Sequence, residues 1–414
     1  MSQRSKFSLV LVSIIVLILI GGAALVWAYS NSSYQFVFDR SQQIAAVDSI
    51  ATTTPVVPEV IHLSTPKPLK AIYMTQCIAA SPKLRESLIK LADESEINAI
   101  VVDLKDYSGT VSFPSETALP GGKGCTVADF KDLVKSMHEK EIYVIGRLTV
   151  FQDPLYTRAY PDQAVQSIST GTPWKDRKGL SFVDVGARAY LVYIISLAQE
   201  AYDLGVDEIN FDYIRYPSDG NMKDTKYITV VGSKAEMLER FFAALTSGVR
   251  EAIKSKTGQV PVLSADLFGM TASNTDDLNI GQVLERTLPY FDYVYPMVYP
   301  SHYPPKFNGW ADPNKHPYDI VKFSMERAVA RAVAATTTTA SLAYQRIGTS
   351  TPAVYEKPIY SKYKLRPWLQ DFNYPVTYTP EMVKTQIQAT YDAGLDSWLM
   401  WDPANTYTAS VFDK

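Results

Sequence analysis

Two polar residues share one face of a segment that otherwise has the character of a buried strand, Asp207–Pro217 (DEINFDYIRYP). Asn210 and Asp212 are two positions apart, so their side chains point to the same side of a strand. Parallel strands buried on both faces are usually continuous apolar runs, and a carboxylate at the carboxyl end of one therefore needs an explanation. In a (β/α)8 barrel this end of a strand forms the catalytic face. The simpler explanation is a structural ion pair with Arg215 or with an arginine of a neighbouring strand.

Other predicted strands also end in polar or aromatic side chains, which favours a shared site over separate structural causes. On the second predicted strand Asp103 and Lys105 are expected on one face, and the third contributes Arg147. The remaining candidates end the fifth, seventh and eighth predicted strands: Asp266, then Trp368, Gln370 and Asp371, then Trp401 and Asp402.

These carboxylates predict acid–base chemistry. Like charges that converge on one crevice raise at least one carboxyl pKa, which creates a general acid. Glycoside hydrolysis needs one protonated carboxyl and one ionised carboxylate, the latter acting as nucleophile or base. Carboxylates with aromatic platforms and dispersed histidines fit this reaction best.

An aromatic and proline-rich segment, Tyr295–Pro304, begins within the sixth predicted strand and continues past its carboxyl end. Tyr295, Tyr299 and His302 are candidate sugar-binding residues, because tyrosine rings stack on sugars and hydrogen-bond to them. Equally, the tyrosines pack beneath a surface loop and the histidine is simply exposed. Arg147 and Arg215 either orient the carboxylates or bind an acidic sugar.

Composition excludes several other classes. The net charge of −3 and the absence of a basic run beyond the N-terminus argue against a nucleic-acid partner. The four histidines have no metal-ligand spacing, so neither a zinc site nor a metal-dependent polysaccharide deacetylase is expected, and no cofactor is predicted. Cys77 and Cys125 follow the first two predicted strands on the same rim, where a disulfide and two free thiols are about equally expected.

The N-terminus predicts a membrane anchor. Residues 7–28 are uncharged and long enough to cross a bilayer, and Arg4 and Lys6 precede them, so residues 1–6 are expected in the cytoplasm. A cleaved signal peptide is the alternative, and both interpretations export the remainder. Residues 29–68, rich in Pro, Thr and Ser, predict a flexible spacer before an extracytoplasmic domain at 69–414.

From residue 69 onward, short β-rich runs alternate with helical stretches, which is typical of an α/β protein with a (β/α)8 barrel. No full helix is expected after the eighth run, because thirteen residues remain after Trp401. The connection 151–185 follows a strand's carboxyl end and is expected to roof the site, whereas 336–365 is expected on the surface. The predicted strands are Ala71–Met74, Ala99–Leu104, Ile142–Leu148, Glu208–Tyr213, Val262–Leu267, Tyr293–Val298, Pro367–Phe372 and Ser397–Trp401.

The segments FDYIRYP, MVYPSHYPP, RPWLQDF and WLMWDPAN, with KAIYMT, VVDLKDYSG and ADLFG, resemble a bacterial family described as a putative glycosyl hydrolase domain. The resemblance spans roughly residues 69–408 and implies a barrel related to amylase-like glycosidases, in a cell-envelope protein. It implies that Asp212 is the nucleophile and Asp266 the general acid/base, although many such enzymes have a glutamate there. Asp371 and Asp103 are the alternative acids.

The sequence therefore predicts a membrane-anchored, extracytoplasmic glycoside hydrolase acting on a cell-envelope or environmental polysaccharide. The alternative is a non-catalytic carbohydrate-binding envelope protein that uses the same barrel and its aromatic rim.

Overall fold

Eight parallel strands close into a barrel in which each strand pairs with the next along the chain and the last pairs with the first. This confirms the predicted α/β barrel. The computed structural model describes residues 60–412. The strands are β1 (Lys70–Met74), β2 (Ala99–Lys105), β3 (Tyr143–Thr149), β4 (Glu208–Asp212), β5 (Val262–Phe268), β6 (Tyr293–Met297), β7 (Trp368–Gln370) and β8 (Trp398–Trp401).

Helices lie between the strands and cover the barrel. Their apolar faces join the outward-facing strand residues in one large core, while the inward-facing residues form a second cluster inside the barrel. The helices are α1 (Gln76–Ala79), α2 (Pro82–Glu94), α3 (Phe130–His138), α4 (Pro154–Ala159), α5 (Arg188–Asp203), α6 (Lys234–Thr257), α7 (Leu284–Thr287), α8 (Pro317–Val333) and α9 (Pro380–Asp392).

Local sequence explains where helices begin and end. Helix α6 is capped at its start by Ser233, which forms a reciprocal capping box with Glu236, and at its end by Gly258, whose φ is 75°. Helix α7 starts only at Leu284. The left-handed backbone at Asn279 and Gly281 prevents an earlier start.

The barrel closes without a full eighth helix in the part of the chain that the structure describes, as predicted. A 3-10 turn, Ala409–Val411, follows β8. Phe412 then stacks on Trp398 with ring centroids 5.7 Å apart, which covers the outside of β8.

The predicted anchor at 7–28, the cytoplasmic residues 1–6 and most of the spacer lie outside the described residues. Between residues 60 and 412, no helix has the length and apolarity needed to cross a membrane. The end of the predicted spacer packs against the barrel base, where the Leu63 amide donates a hydrogen bond to Asp207 at 2.6 Å. Asp207 is also hydrogen-bonded to His138 of α3, at 2.9 Å.

The long connections lie at opposite ends of their strands. After β3, the chain forms α4 and then the strand Gln166–Ser167, which pairs with Thr225–Lys226 of the connection that follows β4. Before β7, the strands Thr336–Thr337, Gln345–Ile347 and Val354–Glu356 form a small antiparallel sheet. Ser341 and Leu342 of that region donate hydrogen bonds to Glu239 of α6, so it is fastened to the outside of the barrel.

Candidate active site

Arg147, on β3, lies at the centre of a cluster of three carboxylates inside the barrel. Its guanidinium pairs with Asp103 of β2 and with Asp212 of β4, and its Nε lies 3.6 Å from Asp266 Oδ2 of β5. All four side chains are at most 7% exposed. Four adjacent strands thus bring four of the predicted residues together at the carboxyl-terminal mouth.

Asp212 is ion-paired to a neighbouring strand, as the structural alternative anticipated, but the partner is Arg147 and not Arg215. Arg147 Nε donates to Asp212 Oδ2 at 3.1 Å, and the Tyr213 amide donates to Oδ1. Tyr213 has a φ of 51°, a left-handed conformation that is uncommon for a tyrosine and turns the chain sharply after the carboxylate.

One carboxylate oxygen of Asp266 accepts two hydrogen bonds and the other accepts none from the described residues. Asn210 Nδ2 and Trp368 Nε1 donate to Oδ1 at 3.0 and 2.9 Å. Within residues 60–412, Oδ2 has no hydrogen-bond partner. Burial, together with the negative charge of Asp212, raises the pKa of Asp266 well above its ordinary value. A shift in this direction favours the protonated form of the Asp266 carboxyl.

Aromatic rings line the cluster on the β1 and β8 side. The Tyr73 hydroxyl donates to Asp103, and its ring stacks on Trp401 with centroids 3.8 Å apart. Trp368 meets Trp401 edge-on at 5.3 Å. The Arg147 guanidinium lies 5.1 Å from the Trp401 ring centre, so the rings also cover the cation.

Lys105 does not reach this cluster, and its predicted shared face with Asp103 is wrong. The β2–β3 register shifts between Asp103 and Lys105, and such a bulge re-aims the side chain that follows it. Lys105 instead forms an ion pair with Asp153 at 2.8 Å and donates to the Thr149 carbonyl at 2.7 Å. Its side chain is fully buried outside the barrel interior.

Tyr295 lies deeper in the barrel than a substrate contact requires. Its hydroxyl donates to Glu208, a buried carboxylate at the start of β4. Tyr143 and Arg366 contact the other Glu208 oxygen at 3.2 and 3.4 Å. This base cluster lies at the opposite end of β4 from Asp212.

Gln370, Asp371 and Asp402 are held by loop backbones at the mouth. Gln370 Nε2 donates to the carbonyls of Phe372 and Tyr374, at 3.0 and 3.1 Å. Asp371 accepts from the Thr408 amide at 2.7 Å and Asp402 from the Thr406 amide at 2.8 Å. Burial chiefly, opposed by the hydrogen bonds from Thr408, leaves the pKa of Asp371 raised to about 6.

Two cavities flank the carboxylates. The β7 cavity, of about 670 Å³, is formed by residues after β6, β7 and β8, among them His302, Asp371, Tyr374 and Asp402. The β3 cavity, of about 290 Å³, is formed by residues after β2, β3 and β4, among them Tyr107, Tyr213 and Arg215. Buried Tyr299 lies beneath the first, in T-shaped contact with His302 and Phe372.

Arg215 is therefore a rim residue. Its guanidinium lies 5.0 Å from the Tyr213 ring centre and donates to the Tyr216 carbonyl at 3.1 Å. The rim is also cross-linked, because Cys77 and Cys125 form a disulfide with Cα atoms 4.9 Å apart. Of the two alternatives for these cysteines, the structure contains the bond.

Sequence reasoning missed Tyr73 and the special backbone of Tyr213. Tyr73 lies within a predicted apolar strand and carries no distinguishing motif, so only its hydrogen bond to Asp103 reveals it. Tyr213 lies in the motif that first drew attention, but a left-handed φ leaves no signal in a sequence without glycine or asparagine at that position. Between residues 60 and 412 no group of His, Cys, Asp or Glu is arranged to hold a metal ion.

Several solved structures are similar to this chain. A hypothetical protein from Ruminiclostridium thermocellum ATCC 27405 is 32% identical, with a TM-score of 0.40 over 50% of this chain and 98% of that one. The PgaB (BpsB) glycoside hydrolase domain from Bordetella bronchiseptica is 12% identical, with a TM-score of 0.57 over 84% of this chain and 99% of its own.

An alpha-L-fucosidase isoenzyme 2 from Paenibacillus thiaminolyticus is also 12% identical, with a TM-score of 0.53 over 84% of this chain and 48% of the fucosidase. At this identity the last two matches show a common fold. No curated protein matches the chain. Residues 71–407 match a family described as "Putative glycosyl hydrolase domain", and the chain belongs to that family.

Proposed function

We propose that this protein is a glycoside hydrolase in which Asp266 is the general acid/base and Asp212 the nucleophile. The observation that carries the proposal is that the two carboxyl groups lie in different environments. Asp212 is ion-paired with Arg147, whereas Asp266 has a raised pKa and an Oδ2 atom without a hydrogen-bond partner in the described residues. Glycosidic cleavage requires one carboxyl group that can give up a proton and a second carboxylate that is held in place as nucleophile.

The spacing favours retention of the anomeric configuration. The Oδ2 atoms of Asp212 and Asp266 lie 3.1 and 3.6 Å from the same Arg147 Nε. These two oxygens are therefore no more than about 7 Å apart. Distances up to that limit include the ~5 Å separation of retaining enzymes but only the shortest of the ~6.5 to 9.5 Å separations of inverting enzymes.

The reaction proceeds in two balanced steps. Asp266 gives the proton on Oδ2 to the glycosidic oxygen, the bond from that oxygen to the anomeric carbon breaks, and Asp212 forms an ester with that carbon. Asp266, now ionised, takes a proton from water, and the hydroxyl displaces Asp212. Asn210 and Trp368 hold Asp266 Oδ1, so the proton faces Asp212 and the bond to be cleaved.

The test begins with reducing-end release from envelope and plant polysaccharides by wild type and by Asp266→Asn. We expect the variant to lose about 10²- to 10⁴-fold in rate on the cleaved polysaccharide, and much less on an aryl glycoside of the released sugar, because a good leaving group needs no protonation. Asp292→Asn, at the amino end of β6, is the matched control.

An equal loss on both substrates would contradict the assignment of Asp266. Binding of a glycan without any release by wild type would instead favour the non-catalytic carbohydrate-binding protein.

The substrate and location form the second part of the proposal. The domain is proposed to act outside the cytoplasm on a cell-envelope or environmental polysaccharide, held to the membrane by residues 7–28. The Cys77–Cys125 disulfide supports export, because such bonds persist mainly in oxidising compartments. Protease added to intact spheroplasts should digest the membrane-bound domain. Protection equal to that of a cytoplasmic marker would contradict this.

A further inference from the structure

The two cavities lie on opposite sides of the barrel mouth, with the carboxylates between them. The strands follow one another around a closed barrel, so the loops after β3 face those after β7 across its axis. The β3 cavity is formed by residues after β2, β3 and β4, and the β7 cavity by residues after β6, β7 and β8. A straight line between the cavities therefore crosses the mouth.

Each cavity is connected to a different part of the candidate active site. Tyr213 lines the β3 cavity and is the residue next to Asp212. In the β7 cavity, Phe372 lies against Tyr299, at 5.5 Å between ring centroids. Tyr299 is buried, and this burial together with the negative charges of Asp266 and Asp212 raises the pKa of its hydroxyl well above the ordinary value.

Each cavity also presents an exposed tyrosine on an ordered turn. Tyr107 is 56% exposed in the β3 cavity and Tyr374 is 60% exposed in the β7 cavity. The Tyr374 carbonyl is held by Gln370, and the Tyr107 turn is closed by a bond from the Gly109 amide to the Asp106 carbonyl at 3.1 Å. Exposed aromatic rings on turns with a fixed backbone provide flat surfaces for the apolar faces of sugar rings.

We propose that the mouth binds a linear glycan chain that lies across both cavities and is cleaved at an internal linkage. This inference rests on the proposed glycoside hydrolase function and specifies its substrate class and mode of action. Hydrolysis places the water hydroxyl on the anomeric carbon of one fragment and its proton on the oxygen of the other, so both products are shorter chains.

Charge distinguishes the two halves of this groove. Asp371 and Asp402 line the β7 cavity, and none of its described lining residues is a lysine or arginine. The β3 cavity contains both signs, with Lys178 and Arg215 beside Asp176 and Asp219. Sugars bound in the β7 cavity should therefore be neutral or carry an amino group, since a carboxylate there would face two carboxylates.

The first experiment measures product length. The whole protein is incubated with starch, β-glucan, xylan, galactan, chitosan and soluble glycan strands, each labelled at the reducing end. We expect labelled fragments of intermediate length to appear early. Release of only single sugars or of one uniform end product would overturn the internal cleavage while leaving the hydrolase function standing.

The second experiment measures binding without turnover, by affinity electrophoresis of Asp212→Asn in gels that contain the same polysaccharides. Adding Tyr107→Ala or Tyr374→Ala should each weaken retardation by about tenfold, and by more on long chains than on trisaccharides. Tyr363→Ala is the matched control, because this ring is 48% exposed but lies at the amino end of β7.

If only one tyrosine variant weakens binding, or if both weaken trisaccharides and long chains equally, the chain does not span the groove and the inference fails. If both weaken long chains selectively but wild type cleaves none of the six, the groove stands and the hydrolase proposal fails. Absence of retardation on all six polysaccharides would overturn both.

Discussion

The two ends of the barrel interior contain similar residue types in different states of charge balance. At the base, Glu208 has donors for both carboxylate oxygens, from Tyr295, Tyr143 and Arg366. At the mouth, Arg147 is shared among Asp103, Asp212 and Asp266. One arginine per carboxylate is a structural arrangement, whereas one for three leaves charge and lone pairs for another molecule.

The difference shows how burial alone misleads as an indicator of function. Glu208 and Asp266 are equally inaccessible, at 0% and 1% exposed. Among the described residues, Asp266 is the only carboxylate with a buried oxygen that has no hydrogen-bond partner, although Arg147 Nε lies 3.6 Å from that oxygen. A buried polar atom without a hydrogen-bond partner costs about 1 to 3 kcal/mol, and this one lies at the mouth, where a bound molecule can supply the missing partner.

The largest expected effect comes from Asp212→Asn at the mouth. The change removes the nucleophilic charge, so kcat/KM should fall by about a thousandfold or more. The free energy of unfolding should change by less than about 1 kcal/mol, because Arg147 keeps its ion pair with Asp103 and the loss of one charge relieves the repulsion between Asp212 and Asp266. Reducing-end assays and thermal melts measure the two quantities. Retained turnover would remove Asp212 from the mechanism.

The matched change at the base is Glu208→Gln, which should have the opposite result. It leaves the buried Arg366 cation without its carboxylate, and breaking such a pair destabilises by about 3 to 5 kcal/mol. Activity per folded molecule should stay near wild type. Urea unfolding measures the stability, and active-site titration measures the activity per folded molecule. A stable but inactive variant would show that Glu208, at the closed end of the barrel, also takes part in catalysis.

A smaller effect should follow Trp368→Phe, which keeps an aromatic ring but removes the donor to Asp266 Oδ1. That hydrogen bond lowers the pKa of Asp266, so its loss should raise the pKa further. Asp266 must be protonated to act as an acid, and the alkaline limb of kcat against pH should therefore move to higher pH. Facing Asp266 are the charges of Asp212 and Arg147 and the hydroxyl of Tyr299.

We expect kcat for Trp368→Phe to fall by about tenfold, from the loss of one positioning hydrogen bond. Trp398→Phe is the control, since its indole bonds to Tyr391 on the outside of the barrel. An increase in KM alone, with an unchanged pH profile, would instead make Trp368 a sugar platform.

Sequence predicted the fold closely, because buried parallel strands leave a continuous apolar signature that ends in polar residues. All eight strands lie within two residues of their predicted bounds, and Asp103, Arg147, Asp212 and Asp266 meet as expected. Convergence at the mouth follows from the barrel topology alone.

Local irregularities could not be predicted from the same signals. Strict alternation placed Lys105 beside Asp103, but the bulge sends it to Asp153 behind the wall. The ion pair between Asp212 and Arg147 depends on the register of β3 and β4, which aligns Thr149 with Asp212 and brings Arg147 close. This register cannot be read from the sequence. Tyr73 could not be identified as a site residue, because its role depends on a hydrogen bond from β1 to Asp103 of β2 that residue spacing does not predict.

The Cys77–Cys125 bond also restricts the unfolded chain. The two cysteines are 48 residues apart, and the loop that they close contains β2 with Asp103. Closing a loop of that size lowers the conformational entropy of the denatured ensemble by an amount equivalent to about 4 kcal/mol at room temperature. A chain folded under reducing conditions would lack that constraint, and its denatured state would gain in entropy against an unchanged barrel.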